Sequence, residues 1–335
     1  MQTAVLGAGM FGTALANILA DNDHKVWLWS RDENHAQAIR ETHENVKSLP
    51  GYTVNPAIVS SSDLGACLAN SDVIFVSVPS YAFREVVVQA RQWLKPDAIV
   101  ISTTKGIEVD GFHLMSAVLR QELESNPIGV LSGPNLAEEI AQKQITATVI
   151  ASEDEHVSET IQQILHTSYF RVYASKDVYG VELAGALKNI YAIAAGFAAA
   201  LGVGHNTQGM LLTRSLAEMS RFAHSMGAEP MTFMGLAGVG DLMVTCASPL
   251  SRNYQIGLYV GQGLTLDQAV EKLGRLAEGI NTVRTVKHKA EELDVYMPIV
   301  NGLYQILFER QPVQAVINDI MTREQPSDVE FVAGD

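Results

Sequence analysis

The sequence predicts an α/β domain with a doubly wound, largely parallel sheet, followed by an all-helical domain. In the first half, short apolar runs alternate with helical segments, as in repeated βα units. From about residue 176 onward, apolar residues recur at helical spacing and no strand is predicted. Near the start, a glycine-rich loop joins the first strand to the first helix. The 335 residues are enough for both domains.

The predicted elements divide the chain at one point. Strands are predicted at 3–6, 25–29, 73–78, 98–101, 128–131, 147–150 and 170–173, with helices at 10–20, 82–94, 112–123 and 136–142 between them. Later helices are predicted at 178–201, 210–226, 253–260, 266–273, 282–293, 299–310 and 313–321. We therefore predict a sheet domain at 1–175, a helical domain at 176–325 and a tail at 326–335.

Composition limits the classes of partner. The formal net charge of −14 argues against nucleic acid or an anionic membrane as a bulk partner. Two cysteines suit a reducing compartment, and neither they nor the nine histidines have metal-ligand spacing, so no metal is expected. The apolar segment 190–203 is short for a membrane span and predicts a buried helix. The first strand leaves no room for a signal peptide, and a cytoplasmic protein without stable membrane insertion is expected.

The glycine-rich loop has the G-x-G-x-x-G pattern in Gly7-Ala8-Gly9-Met10-Phe11-Gly12. It follows a predicted strand, opens a helix and leads to a second strand, which is the context of a dinucleotide-binding Rossmann unit. Gly7 would permit a tight turn, Gly9 a close approach to a pyrophosphate, and Gly12 close packing of helix on strand. The alternative, a plain strand-to-helix turn, is disfavoured because both strands and the helix are predicted at the positions that the motif requires.

The end of the second predicted strand bears on the choice of nicotinamide cofactor. An NAD-selective site has an acidic residue there, but this chain has Ser30 followed by Arg31. A hydroxyl and a guanidinium suit a 2′-phosphate. Asp32 is the competing ribose ligand, although it is better explained as the N-cap of the next helix. The sequence thus predicts NADP(H), with NAD(H) also possible.

Three stretches of the second half contain polar residues that would be costly if they served the structure alone. Lys188 lies on a small, mostly apolar helical face, where lost hydration would lower its pKa and suit proton transfer near neutral pH. The alternative is a lysine whose stem covers the core while its ammonium reaches water. Glu182 and Asn189 share a face of the same helix. Three polar groups in one apolar helix suggest a lined cavity.

The other two stretches combine special backbone with polar side chains. Three glycines in residues 235–240 precede Asp241, which would either orient an amine or cap a helix after a flexible loop. Ser251, Arg252 and Asn253 at a helix start could bind an anion, or form an ordinary N-cap with a surface arginine. Glu278, at another helix start, would face the cofactor or simply cap.

Six motifs in this order resemble one family, the bacterial NAD(P)-dependent glycerol-3-phosphate dehydrogenases. They are GAGMFGTALA (7–16), TTKGIE (103–108), SGPNLAEEI (132–140), ELAGALKNIYAIAAG (182–196), GLAGVGDL (235–242) and SRN (251–253). The resemblance spans residues 1 to about 310. It implies a Rossmann domain followed by a helical domain of the 6-phosphogluconate-dehydrogenase type. It also implies reduction of dihydroxyacetone phosphate to sn-glycerol 3-phosphate for glycerophospholipid synthesis, and it favours a homodimer.

The resemblance assigns a role to individual residues. Lys188 corresponds to the catalytic lysine that gives and takes the carbinol proton, and Asp241 to the carboxylate of the reaction site. Lys105 corresponds to a lysine that contacts both substrate and cofactor. The resemblance implies further substrate contacts from Gly133, Asn135, Ser251, Arg252 and Asn253, and cofactor contacts from Gly7, Gly9, Met10, Phe11, Gly12, Arg31, Ala137, Arg252 and Glu278. The family more often has Ser-Trp at positions 10 and 11, and serine at position 135.

Three other functions share parts of this pattern. A dehydrogenase of 3-hydroxy acids or ketopantoate would share the glycine loop and the helical lysine, but need not have GLAGVGDL together with SRN. A nucleotide sensor would bind NADPH with Lys188 dispensable, and the presence of Lys105, Lys188 and Asp241 together counts against it. A flavin protein is disfavoured because no acidic residue stands directly after the second strand.

Overall fold

The computed structural model describes residues 1–274 and 277–322, and these form two compact units. The first unit contains Met1–Glu108 and His113–Glu182, and the second contains Val109–Phe112 and the chain from Leu183 onward. The division predicted at 175/176 falls inside the first unit, and the segment Val109–Phe112 was predicted within the sheet domain. The predicted tail, 326–335, lies outside the described residues.

The first unit is built on one large sheet and two hairpins. The strands are β1 (Gln2–Leu6), β2 (Lys25–Trp29), β3 (Glu44–Asn45), β4 (Leu49–Thr53), β5 (Val59–Ser61), β6 (Val73–Val76), β7 (Ile99–Ser102), β8 (Ile107–Glu108), β9 (His113–Leu114), β10 (Ile128–Ser132), β11 (Thr146–Ala151) and β12 (Phe170–Ser175). Eight of them form the sheet β12-β11-β10-β7-β6-β1-β2-β5, which is parallel except for the pair β10–β11. This confirms the predicted doubly wound, largely parallel sheet.

Helices cover both faces of the large sheet. The helices of the first unit are α1 (Met10–Asp21), α2 (Glu33–Thr42), α3 (Leu64–Leu68), α4 (Ser80–Ala90), α5 (Met115–Glu122), α6 (Ala137–Ala141) and α7 (Glu155–Leu165). One buried apolar cluster joins α1, α6 and α7 to one face, and a second joins α3, α4 and α5 to the other. Since both faces are covered, the central strands are continuous apolar runs, as the sequence predicted.

All the regular elements described in the second unit are helices. It contains most of α8 (Val178–Ala200), then α9 (His205–Ser225), α10 (Asp241–Ala247), α11 (Arg252–Gly261), α12 (Leu266–Leu273), α13 (Glu278–Glu292), α14 (Pro298–Phe308) and α15 (Val313–Thr322). Among the described residues, α8 alone is long and apolar enough to cross a membrane, and 78% of its apolar window is buried inside the protein. This agrees with the predicted buried helix.

A buried acid in the second unit gives a pH-dependent contribution to stability. Glu218, on α9, is buried and accepts hydrogen bonds from the main-chain N–H groups of Ile299 (3.2 Å) and Val300 (3.1 Å) at the start of α14. Burial raises the pKa of Glu218 from 4.5 to about 8, against the opposing effect of these hydrogen bonds. The folded protein therefore holds this carboxyl in its neutral form at pH 7.

We expect this contribution to be full below about pH 4.5 and lost as the pH rises to about 8, because only the unfolded chain ionises Glu218 over that range. Thermal unfolding of Glu218→Gln should be less sensitive to pH over this window than that of the unchanged protein. Glu271→Gln, at an exposed position of α12, is the matched control. An equal pH dependence in both variants would contradict the assignment to Glu218.

Candidate active site

The glycine loop between β1 and α1 has the backbone that its motif requires. Gly7 has φ +122°, and a side chain there would place Cβ 2.4 Å from the Ser77 carbonyl oxygen. A Cβ on Gly12 would lie 2.1 Å from the Gly7 carbonyl oxygen. Gly9 is the N-cap of α1 and makes no side-chain capping bond, and among the described residues only its chain neighbours come within 4 Å of its Cβ position. The N-terminal amides of α1 therefore border open space, which suits a pyrophosphate.

The residues between these glycines help to anchor the helix. Met10 and Phe11 are half-buried and pack against the apolar cluster on the α1 face of the sheet. Their side chains thus have a packing role whether or not they also touch a cofactor.

The end of β2 presents Ser30 and Arg31. Ser30 is buried, with its Oγ 3.2 Å from the His35 Nδ1, while Arg31 is exposed. Asp32 accepts hydrogen bonds from the main-chain N–H groups of Asn34 (3.1 Å) and His35 (3.4 Å). The prediction that Asp32 caps α2 is confirmed. Its carboxylate is occupied by the helix, and this favours Arg31 as the residue that contacts a 2′-phosphate.

A second polar group lies after β7 and β10. The Lys105 Nζ donates to the Gly133 carbonyl at 2.7 Å, and the Asn135 Nδ2 donates to the Thr148 Oγ1 at 2.8 Å. The Asn135 Oδ1 is buried and accepts no hydrogen bond from any residue that the structure describes. A buried acceptor without a donor is costly, so this atom suits a ligand that carries a hydroxyl. Ala137 begins α6 directly after this loop.

In the second unit, Lys188 is the centre of a buried polar cluster. Its ammonium donates to the Asp241 carboxylate and, at 2.7 Å, to the Thr245 Oγ1. Lys188 is 6% exposed and Asp241 is 1% exposed. An ammonium buried to this degree needs an opposite charge, which Asp241 supplies. The alternative of a lysine reaching into bulk water is wrong.

Thr245 was not found from the sequence. It stands four residues after Asp241 on α10, so both side chains lie on one face of the helix, and the Thr245 Oγ1 is 3.3 Å from the Asp241 Oδ1. This D-x-x-x-T spacing was the available signal. The hydroxyl lets the cluster hold the ammonium at two points rather than one.

The glycine-rich segment before α10 is a regular helical turn and not an irregular loop. Residues Leu236–Gly240 form a π-helical turn that continues directly into α10. A Cβ on Gly238 would lie 2.2 Å from the Phe233 carbonyl oxygen, so this path requires glycine. The turn sets the position at which α10 begins, and Asp241 is the first residue of that helix.

Three helices of the second unit meet around Asn253. The Asn253 Nδ2 donates to the Asn189 Oδ1 on α8 at 2.8 Å, and the Asn253 Oδ1 accepts from the Gly279 N–H on α13 at 3.0 Å. The Ser251 Oγ caps α11 by accepting from the Tyr254 N–H at 3.4 Å. Arg252 and Glu278 are the first residues of α11 and α13. This network ties together the starts of two helices that carry predicted site residues.

Glu182, which was predicted to share a cavity with Lys188 and Asn189, has its hydrogen-bond partners at the start of α5. Glu182 belongs to the first unit and accepts hydrogen bonds from the Ser116 N–H (2.9 Å) and hydroxyl (2.5 Å) at the start of α5. Burial raises its pKa to about 7. Seven residues of helix separate Glu182 from Asn189, a rise of about 10 Å. Sharing a helical face therefore did not bring their side chains together.

Family models match both halves of the chain. Residues 2–158 match the N-terminal domain of NAD-dependent glycerol-3-phosphate dehydrogenase, and residues 177–318 match its C-terminal domain. This chain belongs to the NAD-dependent glycerol-3-phosphate dehydrogenase family. The resemblance drawn from the six motifs is therefore confirmed.

Individual relatives agree with this family. The glycerol-3-phosphate dehydrogenase [NAD(P)+] of Saccharophagus degradans is 56% identical and covers 98% of this chain and 92% of its own length. That of Alcanivorax borkumensis is 54% identical, with 99% and 97% covered. The crystal structure of glycerol-3-phosphate dehydrogenase from Coxiella burnetii is 36% identical, has a TM-score of 0.92 and covers 96% and 99% of the two chains.

A ketopantoate reductase structure from Ralstonia eutropha also aligns with this chain, with a TM-score of 0.61 and 17% identity over 96% of this chain and all of the reductase. This shows a shared fold alone and explains why the ketopantoate alternative had the same pattern of domains. Across the described residues, no group of three or more His, Cys, Asp or Glu side chains is placed to hold a metal ion.

Proposed function

We propose that this chain catalyses the reversible reduction of dihydroxyacetone phosphate to sn-glycerol 3-phosphate, with Lys188 as proton donor and acceptor. Family membership supports the class of enzyme, an oxidoreductase that depends on NAD(P). The observation that supports the residue assignment is the buried cluster in which Asp241 and Thr245 hold the Lys188 ammonium. A buried, oriented ammonium can stabilise and protonate an oxygen that becomes negative during the reaction.

NAD(P)H, when bound, supplies the hydride that forms the new C–H bond at the carbonyl carbon. The electron pair of the C=O π bond moves to oxygen, and Lys188 donates the proton that completes the alcohol. In the oxidation direction, neutral Lys188 takes that proton back. Asp241 orients the amine and balances its charge while it is protonated. Lys105 is proposed as a second cation that stabilises the oxygen.

The substrate phosphate is proposed to bind at the start of α11. The helix provides N-terminal amides and a favourable dipole, and Arg252 adds a guanidinium suited to phosphate. Both polar atoms of the Asn253 side chain are hydrogen-bonded within the protein, so its main chain is the part proposed to contact the substrate. Gly133 and Asn135 are proposed to contact the polar part of the substrate, since the buried Asn135 Oδ1 suits a hydroxyl donor.

The first unit is proposed to hold NADP(H) or NAD(H). Residues Gly7, Gly9 and Gly12 form the loop, with Met10 and Phe11 beside it, and Arg31 is exposed at the end of β2. Ala137, Lys105, Arg252 and Glu278 are proposed as further cofactor contacts, as in the family.

Arg31→Glu should shift the preference toward NADH. The ratio of kcat/KM for NADPH to that for NADH is expected to fall about tenfold to a hundredfold, because a charge-assisted contact is replaced by repulsion of the 2′-phosphate. Steady-state kinetics with both cofactors measures this ratio. Arg171→Glu, an exposed arginine on β12, is the control and should leave it unchanged. An unchanged ratio in Arg31→Glu would show that another group contacts the ribose.

We also propose a cytoplasmic homodimer that supplies sn-glycerol 3-phosphate for glycerophospholipids and binds neither nucleic acid nor membrane stably. The family resemblance supports the dimer and the lipid role, and the two buried, unpaired cysteines suit a reducing compartment. Light scattering on the purified protein at several concentrations tests the dimer.

The test of the reaction follows the absorbance of the reduced nicotinamide with dihydroxyacetone phosphate and either NADPH or NADH. Rapid oxidation that requires the phosphate group of the substrate is expected, and unphosphorylated dihydroxyacetone should be nearly inert. Binding of NADPH without oxidation by dihydroxyacetone phosphate would contradict the proposed substrate and favour a 3-hydroxy acid.

A further inference from the structure

A chain of hydrogen bonds connects the end of β2 to the glycine loop. The Ser30 Oγ lies 3.2 Å from the His35 Nδ1, and the His35 Nε2 lies 2.8 Å from the Asn45 Oδ1. The Asn45 Nδ2 then donates to the Ala8 carbonyl at 3.0 Å and to the Thr13 hydroxyl at 2.8 Å. Asn45 is fully buried and Ser30 is 7% exposed. All five residues belong to the first unit.

Two main-chain groups fix the orientation of the Asn45 amide. The Ala8 carbonyl can only accept, so the Asn45 atom next to it must be the NH₂ group. The Ser48 main-chain N–H can only donate, and it lies 3.1 Å from the other atom, which must therefore be the oxygen. Because the Asn45 Oδ1 is an acceptor, the His35 Nε2 facing it must carry a hydrogen.

The hydrogen on Nε2 determines what Ser30 can do. A neutral imidazole has one N–H, so the His35 Nδ1 must accept, and the Ser30 hydroxyl must donate to it. The Ser30 oxygen then offers only lone pairs to a ligand. When His35 is protonated, Nδ1–H donates to the Ser30 oxygen instead, and the Ser30 hydrogen is released to point elsewhere.

The two cofactors need opposite partners at the ribose. The 2′-hydroxyl of NADH can donate a hydrogen bond, whereas the 2′-phosphate of NADPH is chiefly an acceptor and carries negative charge. We propose that Ser30 and His35 make the cofactor preference pH-dependent: neutral His35 favours NAD(H), and protonated His35 favours NADP(H). This rests on the proposed function only in taking these dinucleotides as ligands at the end of β2.

Charges of both signs surround His35. The Asp32 carboxylate accepts from the His35 N–H and pairs with Lys47 at 3.5 Å, and Glu33 pairs with Arg40. The other ionisable side chains on α2, beside it and on the β3–β4 hairpin are Arg31, Asp32, Glu33, Arg40, Glu41, His43, Glu44, Lys47 and Tyr52, with Asp63 following β5.

The test measures dissociation constants of NADP⁺ and NAD⁺, without substrate, from about pH 6 to about pH 9. For the unchanged protein, we expect the affinity ratio of NADP⁺ to NAD⁺ to fall about tenfold as the pH rises, the value of one hydrogen bond to a charged group. Ser30→Ala removes the hydroxyl and leaves the contact between His35 and Asn45 intact. In this variant the fall should disappear.

Two further measurements separate this effect from others. The 2′-phosphate itself gains charge near pH 6, which strengthens NADP⁺ binding as the pH rises and therefore acts in the opposite direction in every variant. His156→Ala, an exposed histidine on α7, should behave like the unchanged protein. The ¹⁵N shifts of the His35 ring should show a hydrogen on Nε2 and none on Nδ1 in the neutral form.

The proposal is overturned if Ser30→Ala keeps the pH dependence of the unchanged protein, or if neutral His35 carries its hydrogen on Nδ1. Because binding is measured without turnover, a chain that binds both dinucleotides but does not reduce dihydroxyacetone phosphate would contradict the proposed reaction and leave this inference standing.

Discussion

Replacing Lys188 with methionine is expected to lower kcat for dihydroxyacetone phosphate reduction by about 10²- to 10⁴-fold, with little change in the dissociation constant of NADPH. A decrease in kcat of this size is typical when a general acid is lost. The cofactor loop is in the first unit and Lys188 is in the second, so the variant leaves the glycine loop and Arg31 unchanged. Single-turnover kinetics and NADPH titration together separate the chemical step from binding.

Stability must be separated from catalysis in this variant. Removing the ammonium leaves the buried Asp241 carboxylate without its opposite charge, at a cost of about 3–5 kcal/mol. The double variant Lys188→Met/Asp241→Asn removes both charges and should unfold at a higher temperature than Lys188→Met, yet remain inactive. Activity in the single variant, or recovery of activity along with stability in the double variant, would contradict the proposed role of Lys188.

The sequence predicted the sheet well because each central strand is buried on both faces. A run such as residues 73–78 is almost entirely apolar and does not alternate between apolar and polar residues. The segments before and after it are amphipathic helices. The strands β3, β8 and β9 were missed because two residues show no periodicity, and they exist only through pairing in hairpins. The helix predicted at 112–123 begins at Met115, since His113–Leu114 pairs with Ile107–Glu108.

The candidate site was only partly accessible from the sequence. Lys188 was visible because a lysine on an apolar helical face needs a reason, and Asp241 because three glycines precede it. Asp241 becomes the partner of Lys188 only because α10 packs against α8. No local sequence pattern predicts that packing. Thr245 and Asn45 were missed for the same reason. Neither residue belongs to a recognisable local motif. Each is important because it contacts atoms of residues that are distant in sequence.

Glu182 shows a limit of reasoning from helical spacing. Sequence spacing placed it on the same helical face as Asn189, and this was interpreted as a shared cavity. The structure instead uses Glu182 at the start of α5, where a carboxylate accepts from free N–H groups. Helical spacing establishes a common direction, but it does not establish a common partner along a helix of 23 residues.

Gly9→Ala is expected to weaken NADPH binding by about tenfold or more, while the free protein loses less than about 1 kcal/mol of stability. Gly9 has φ −80° and ψ −177°, which any residue adopts, and apart from its chain neighbours no residue in the described part of the chain lies within 4 Å of its Cβ position. A methyl group there would meet only a ligand. Isothermal titration with NADPH and thermal unfolding without cofactor measure the two effects.

Substitutions at two other glycines serve as controls for Gly9→Ala. Gly204 also begins a helix without a side-chain cap, with φ −76°, ψ 173° and the same open space, so Gly204→Ala should reproduce the small stability loss and leave NADPH binding unchanged. Gly12→Ala should destabilise the free protein itself, because its Cβ would meet the Gly7 carbonyl oxygen at 2.1 Å. If Gly9→Ala binds NADPH as tightly as Gly204→Ala does, the pyrophosphate does not lie against this loop. The glycine motif would then be explained by packing alone.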